Sequence, residues 1–238
     1  MAASSDELPA VPSPEAAVIA HDGVGAQSCP VQQPYIPLVL SGDQSRTAAD
    51  ALCASVMTCA RCAKLAASRS RIVPGHGAVP AAIAFIGLAP GRFGGDRTGI
   101  PFDGDRSGEL LRRMIRHARL SRVFITNLVR CNPRDARGRN RDPTCDEIAN
   151  CHDYLAAELK LARPKIIVCL GRIAWRTLAG REIPFTPSAP SVTERSGLRL
   201  FPMYHPAYVV RGAYPERSYR RDFRRLRASY AKLPPASA

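Results

Sequence analysis

Four cysteines stand at spacings that are typical of metal ligands. Cys59 and Cys62 form a Cys-x2-Cys pair, while Cys131 and Cys151 follow much later in the chain. Two neighbouring thiolates and two distant ones can complete a tetrahedral zinc site or hold an iron–sulfur cluster. Cys145 competes with Cys151 for the fourth position. Spacing alone leaves open both this choice and the choice between zinc and iron.

The other cysteines bear on the core and on the compartment. Cys29, Cys53 and Cys169 are interpreted as buried small side chains, most clearly Cys169, which lies inside an apolar run. Eight cysteines in a chain without a secretion signal argue against a disulfide framework. No apolar run is long enough to span a membrane. We expect a cytoplasmic, monomeric protein with no membrane partner.

A glycine-rich segment is the second candidate for chemistry. It begins with Gly87, Leu88, Ala89, Pro90 and Gly91 and continues to Gly108. Glycines let the backbone approach a ligand closely, and a loop between a strand and a helix can bind phosphate. The segment lacks both the Gly-Lys-Ser/Thr ending of a P-loop and the compact Gly-x-Gly-x-x-Gly of a dinucleotide fold. A structural surface loop is the alternative.

A histidine and an arginine-rich stretch follow the last predicted strand. Most histidines are structural, but the position of His205 just after a strand favours a role at a site. Seven arginines lie from Arg211 to Arg227, and the acids Glu216 and Asp222 do not balance them. The ordinary interpretation is a solvated helix face, and the sharper one is a surface that contacts phosphates.

The charge of the whole chain favours a polyanionic partner. The net charge is +14, and residues 1–50 hold six acids and one arginine, so the remainder carries about +19. Only four of the 34 basic residues are lysines. Arginine binds phosphate as a fork, which lysine cannot do. A GC-rich genome, which favours arginine codons, is the other explanation.

Apolar patterns predict the elements that must position these residues. Short buried runs predict strands over 82–87, 123–129, 165–170 and 198–203. Helices are predicted over 48–65, 107–115, 146–161, 172–178 and 216–232, with Ser107 as the cap of the second.

The alternation of strands and helices predicts an α/β fold. We expect a single three-layer domain over 48–232, with a mostly parallel central sheet flanked by helices. Residues 1–47 are predicted to be a largely disordered tail, and 233–238 a short one. Ligands in such folds bind beyond the carboxyl ends of the strands. The segments after Gly87, Val129, Leu170 and Met203 are therefore the places to look.

Taken together, these motifs resemble the iron–sulfur uracil-DNA glycosylases, families four and five of their superfamily. The resemblance runs from about Cys59 to Arg227. It implies a uracil-DNA glycosylase-like fold and a [4Fe–4S] cluster. In that alignment Cys145 falls where these families often carry proline. The implied cluster ligands are Cys59, Cys62, Cys131 and Cys151.

The glycine-rich segment differs between the two families. Family four typically carries a glutamate, thought to act on the catalytic water, where this chain has Leu88. The segment instead resembles family five in Gly87–Gly91, Arg97–Gly99, Pro101–Phe102 and Gly104–Asp105. The runs Ile125–Asn127 and His205–Tyr208 look more like family four. The chain is thus a mixture, which leaves its substrate range open.

The resemblance also implies an activity and roles for single residues. The activity is removal of uracil from single- or double-stranded DNA in base excision repair. A wider substrate range would include other deaminated bases. Phe102 would stack on the extruded base, and the backbone of Leu88–Gly91 would bind its edge. Asn127 would pair with uracil and disfavour cytosine. His205 would stabilise the departing anion and Asp105 would orient the water, with Asp96 and Asp103 as the competing acids.

Two other classes of protein fit parts of the sequence. A DNA-binding module stabilised by a metal or a cluster would bind DNA without releasing a base. A nucleotide-binding enzyme would use the glycine-rich segment on phosphates and would not need the arginine-rich stretch.

Overall fold

The computed structural model describes residues 42–233, with side chains from Thr47 onward. Residues 1–41, which make up most of the predicted N-terminal tail and include Cys29, lie outside the described residues, as do 234–238. In the part that is described, none of the helices combines the length and the apolar composition that crossing a bilayer requires.

Helices and strands alternate along the described chain. The helices are α1 (Gly42–Met57), α2 (Ala63–Ser68), α3 (Gly95–Thr98), α4 (Arg106–His117), α5 (Cys145–Ala162), α6 (Arg172–Ala179), α7 (Pro206–Val210) and α8 (Glu216–Ala231). The strands are β1 (His76–Gly77), β2 (Ile83–Gly87), β3 (Val123–Asn127), β4 (Ile166–Leu170), β5 (Thr193–Arg195) and β6 (Leu198–Met203).

The strands form one sheet in the order β1-β3-β2-β4-β6-β5. The four inner strands are parallel to one another, and each edge strand is antiparallel to the inner strand beside it. The predicted mostly parallel sheet is therefore confirmed, as are its four long strands. The sequence patterns missed the two edge strands because they are only two and three residues long and are not buried.

Helices cover both faces of the sheet and create two apolar layers. Ala84 and Ile86 of β2 point into the layer formed with α1, α2, α5 and α6. Ile83 and Phe85 point into the opposite layer, which α4, α7 and α8 complete. Burial on both faces explains why all five residues of β2 are buried and apolar. The predicted three-layer α/β domain is confirmed.

The helix predicted over 48–65 is in fact two helices. α1 begins earlier, at Gly42, and ends at Met57, and α2 starts only at Ala63. The break contains Cys59 and Cys62, so both cysteines lie in the segment that connects the two helices. Cys169 is fully buried, as expected, whereas Cys53 is exposed on α1.

Candidate active site and cysteine cluster

The candidate active site lies where the four parallel strands end. Gly87 closes β2 and pairs in register with Asn127, the last residue of β3. Gly171 follows β4, and its N–H donates to the carbonyl of Met203 at the end of β6, at 2.8 Å. His205 lies two residues further on. The fold thus brings separate predicted residues to one edge of the sheet.

Gly87 allows two of these side chains to meet. A Cβ atom at this position would lie 2.6 Å from Cζ of Phe102 and would also overlap Oδ1 of Asn127. Only glycine leaves this space free, because carbon atoms do not approach so closely. On its other side, the Phe102 ring lies 5.5 Å from the His205 ring, centroid to centroid. Asn127, Phe102 and His205 therefore form one continuous group.

Arg112 holds Phe102 in an uncommon backbone conformation. Phe102 has φ of 52°, a region that bulky side chains rarely adopt. The Arg112 guanidinium donates to the carbonyls of Phe102 at 2.9 Å and Pro101 at 3.0 Å. Sequence reasoning missed Arg112 because an arginine within a helix carries no signal of such a contact.

Asn127 carries a buried acceptor without a partner. Its side chain is 1% exposed, and its Oδ1 atom accepts no hydrogen bond. Leaving such a group unpaired costs about 1–3 kcal/mol. The atom is therefore ready to accept a hydrogen bond from a ligand N–H.

His205 is held as a neutral donor. Its Nδ1 atom accepts the N–H of Ala207 at 3.1 Å and so caps α7. Burial, and then the charge of Arg211, lower the pKa of His205 to about 4. The ring is thus neutral at pH 7, with its proton on Nε2 because Nδ1 is an acceptor.

Asp105 caps α4, a role that the sequence patterns had given to Ser107. Its Oδ1 atom accepts the N–H of Gly108 at 2.8 Å. Its Oδ2 atom lies against the glycine-rich segment, 3.2 Å from where a Cβ of Gly91 would stand, and it would clash with a Cβ of Gly94. One carboxylate oxygen is therefore bound within the protein, and the other faces the turn that starts at Gly91.

The two competing acids have different surroundings. Asp96 is fully buried, forms an ion pair with Arg134 and accepts the N–H of Ser70 at 3.0 Å. Both of its oxygens are thus used to join α3 to neighbouring segments. Asp103 is half-buried.

The Gly87–Gly91 turn is fixed by its neighbours. The carbonyl of Gly87 accepts the N–H of Leu128 at 2.9 Å, and that of Leu88 accepts the N–H of Val129 at 3.1 Å. Asn132 donates to the carbonyl of Pro90 at 2.6 Å. The turn that the sequence nominated for base binding is therefore rigidly held, and Asn132 is a support that the motif did not indicate.

The four cysteines that the sequence predicts as cluster ligands lie close to one another. The thiol of Cys131 interacts electrostatically with Cys59 and Cys62, and that of Cys151 with Cys131 and Cys62. All four pack in the apolar layer beneath α5. Cys145, the competing residue, is the first residue of α5 and stands six positions before Cys151. Across residues 42–233, no group of three or more His, Cys, Asp and Glu side chains is arranged to hold a metal ion.

Nitrogen donors surround these sulfurs. Arg69 donates to Sγ of Cys131 at 3.3 Å, and Asn150 donates to Sγ of Cys62 at 3.4 Å. Burial raises the pKa of the Cys131 thiol, and raises that of Cys151 to about 11 although the N–H of Arg130 opposes this. Buried thiols with N–H donors suit a group that accepts thiolates, and these surroundings fit an iron–sulfur cluster.

Arg130 connects the cysteines with the active site. It is 1% exposed and forms a buried ion pair with Glu158 of α5, at 2.5 Å. It also donates to the carbonyls of Asn127 at 2.8 Å and Leu128 at 3.1 Å. The end of β3 is therefore tied to the helix that carries Cys151.

Helix α8 exposes its arginines on the face opposite the core. Tyr219, Phe223 and Leu226 are buried. The exposed arginines of this helix are Arg217, Arg220, Arg221, Arg224, Arg225 and Arg227. Arg220 pairs with Glu216 and Arg225 with Asp222, each at 3.7 Å. Arg221 also interacts electrostatically with Asp222. Among residues 42–233, Arg217, Arg224 and Arg227 have no acidic partner, which leaves positive charge for a polyanion.

Comparison with known proteins defines the class of this chain. Residues 74–227 match the family model of the uracil DNA glycosylase superfamily. The chain belongs to this superfamily.

Relatives from both types resemble the chain over most of its length. The type-4 uracil-DNA glycosylase of Archaeoglobus fulgidus is 35% identical over 196 residues, which are 78% of this chain and 95% of the relative. The type-4 enzyme of Sulfurisphaera tokodaii is 36% identical over 183 residues, 72% and 80% of the two chains. The type-5 enzyme of Pyrobaculum aerophilum is 32% identical over 185 residues, 64% and 79%. The resemblance to families four and five is confirmed.

Proposed function

We propose that this protein is a uracil-DNA glycosylase, which hydrolyses the N-glycosidic bond of deoxyuridine in DNA and so initiates base excision repair. The unpaired Oδ1 atom of Asn127 carries the proposal, because it is buried beside an aromatic ring at the strand ends. The named relatives support the same activity.

Base recognition requires the deoxyuridine nucleotide to leave the DNA double helix first. Extrusion costs a few kcal/mol, and least for a mispaired base. The ring of Phe102 then stacks on uracil, and Asn127 Oδ1 accepts the N3–H of the base. Cytosine has an acceptor at N3, so the same Oδ1 atom disfavours it. The rigid Gly87–Gly91 backbone binds the remaining edge.

Bond cleavage separates charge between base and sugar. The bond between C1′ and N1 breaks with its electron pair on uracil, and a water oxygen bonds to C1′. Neutral His205 donates its Nε2–H to a uracil carbonyl and stabilises the anion, as preorganised donors do. The Oδ2 atom of Asp105 orients the water, takes its proton and stabilises the cationic sugar.

Cys59, Cys62, Cys131 and Cys151 would hold a [4Fe–4S] cluster. Bound there, the cluster supplies a structural cross-link, because hydrolysis of a glycosidic bond has no net oxidation or reduction. Arg69 and Asn150 stabilise two of the thiolates, and Arg130 ties the region to Asn127. The cysteines thus act on the site through the position of β3.

Incubation of the protein with an oligonucleotide that contains one uracil tests the function. Alkali should cut the strand at that position, and a control strand with thymine should stay intact. Binding without cutting would favour the DNA-binding module, and tight binding of a free nucleotide the nucleotide-binding enzyme. The monomeric state and the cytoplasmic location stay predictions.

A further inference from the structure

Phe93 is an apolar side chain in an unusual place. It is 70% exposed, and among the described residues only Met57, at 51%, is another large hydrophobic side chain with such exposure. An exposed phenylalanine costs the folded chain some of the free energy that burial would give. Its place in the fold shows what it can contact.

A rigid turn presents Phe93 to the outside. The N–H groups of Gly94 and Asp96 both donate to the carbonyl of Gly91 at 3.1 Å, so Arg92 and Phe93 form the corner of a tight turn. The N–H of Arg92 donates to the side chain of Asn140 at 3.1 Å. The corner is therefore held in place, and the ring of Phe93 costs little entropy to order on binding.

The same turn borders the proposed water-binding carboxylate. The two glycines that flank the corner, Gly91 and Gly94, both lie against Oδ2 of Asp105. The carbonyl of Phe93 accepts from Arg97 at 3.3 Å, which fixes the backbone from the other side. Phe93 thus stands at the rim of the site, beside the place where the sugar of an extruded nucleotide would lie.

The surroundings of Phe93 are basic. The guanidinium of Arg92 lies 5.2 Å from the Phe93 ring centroid and donates to the carbonyl of Gly138 at 2.9 Å. Arg106 and Arg137 are exposed on neighbouring segments. An aromatic ring among guanidinium groups matches single-stranded or distorted DNA, whose bases stack while its phosphates pair with arginine.

We propose that Phe93 is a base-stacking contact, on which a DNA base beside the extruded deoxyuridine rests while Arg92 binds the adjacent phosphate. The inference rests on the proposed function, because it uses the position of that nucleotide next to Asp105. It differs from base recognition, since Phe93 contacts a neighbour of uracil rather than uracil itself.

Binding to a duplex with one 2′-fluoro-deoxyuridine, which resists cleavage, tests the contact. Base–aromatic stacking is worth about 1–3 kcal/mol, so Phe93→Ala should weaken binding by about 5- to 150-fold. Phe93→Trp should restore it, and Met57→Ala is the matched control that should leave it unchanged. A 2-aminopurine next to the fluorinated nucleotide should be more fluorescent with Phe93→Ala than with the wild type, because stacking quenches it.

Two results would overturn the inference: unchanged DNA binding by Phe93→Ala, or full DNA binding by Phe93→Leu. Uracil release by the wild-type protein is measured separately. If release is absent, the proposed function fails. If release is normal and Phe93→Ala binds normally, only the stacking contact fails.

Discussion

Asp105 uses its two oxygens for different tasks. One caps α4 through Gly108, and the other faces Gly91 and Gly94. A purely structural cap and a catalytic carboxylate would both need this residue, so a simple alanine variant cannot separate them. An uncharged side chain that still caps the helix can separate the structural role from the catalytic one.

We expect Asp105→Asn and Asp105→Ser to keep the fold and to lose uracil release. Both side chains cap helices well, so the melting temperature should change little, while Asp105→Ala should lower it. Loss of the carboxylate should slow single-turnover release by about 10²–10⁴-fold. Near wild-type release by Asp105→Ser, with a collapse in Asp103→Asn, would move the water to Asp103.

His205 should stay neutral well below the usual pH of histidine titration. Its pKa is lowered to about 4, so the unfolded chain binds a proton between about pH 6.5 and 4 that the native chain does not. The stability linked to His205 is therefore complete above pH 6.5 and is lost as the pH falls toward 4.

The measurement is an NMR titration of the imidazole Cε1–H signals, with His205→Ala to assign the one of interest. That signal should not move between pH 8 and 5.5, whereas an exposed histidine should titrate near 6.5. A midpoint near 6.5 for His205 would contradict this, because it would show that its surroundings do not keep the ring from taking up a proton.

Among the secondary-structure elements, those predicted correctly are the ones whose apolar pattern results from burial in the core. The strands β2 and β4 are continuous apolar runs because helices cover both faces, and such runs are visible in the sequence. The short edge strands β1 and β5 are not buried, so they leave no such pattern. The start of α4 was placed at Ser107, although Asp105 caps it, because both residue types favour that position.

The site residues at the strand ends could be predicted from the sequence, but the residues that hydrogen-bond to these segments could not. Asn127 and His205 lie beyond apolar strands, where open α/β sheets bind ligands. Arg112, Arg130 and Asn132 act through hydrogen bonds that only the fold creates, between segments far apart in sequence. No local pattern marks such an arginine or asparagine.

We expect Cys151, in the second turn of α5, to bind the cluster, and not Cys145, the first residue of that helix. The purified protein should contain about four irons per chain and be brown. Cys151→Ala should lose iron and colour, and Cys145→Ala should keep both, because the Cys151 thiol lies against those of Cys131 and Cys62. Metal analysis of both variants decides this, and one zinc per chain would contradict the cluster.

Helix α8 should bind phosphates of the DNA backbone. Arg217 and Arg224 are exposed and lack an acidic partner among residues 42–233. Replacing both with glutamine should lower the slope of log K against log salt by about 0.9 for each phosphate that is no longer neutralised. The control replaces Arg116 and Arg119 near the amino-terminal ends of the strands, with the same change of charge. Equal slopes in the two variants would show that α8 faces away from DNA.

In the molecule as a whole, the positive charge and the topology of the sheet both serve the proposed action on DNA. A net charge of +14 draws the protein to DNA without regard to sequence. The parallel sheet gathers Gly87, Asn127 and His205 at one edge, and the four cysteines pack in the apolar layer beneath α5. The superfamily is shown by residues 74–227, and the chemistry is assigned from the site.

The most direct test counts free uracil and abasic sites in one single-turnover reaction with a uracil-containing duplex. The wild-type protein should release one uracil for each abasic site formed. A variant with both Asp105→Asn and His205→Ala should bind the duplex with similar affinity and release none on the same time scale. DNA binding by the wild-type protein with intact iron but no free uracil would contradict the glycosylase assignment and leave a DNA-binding module.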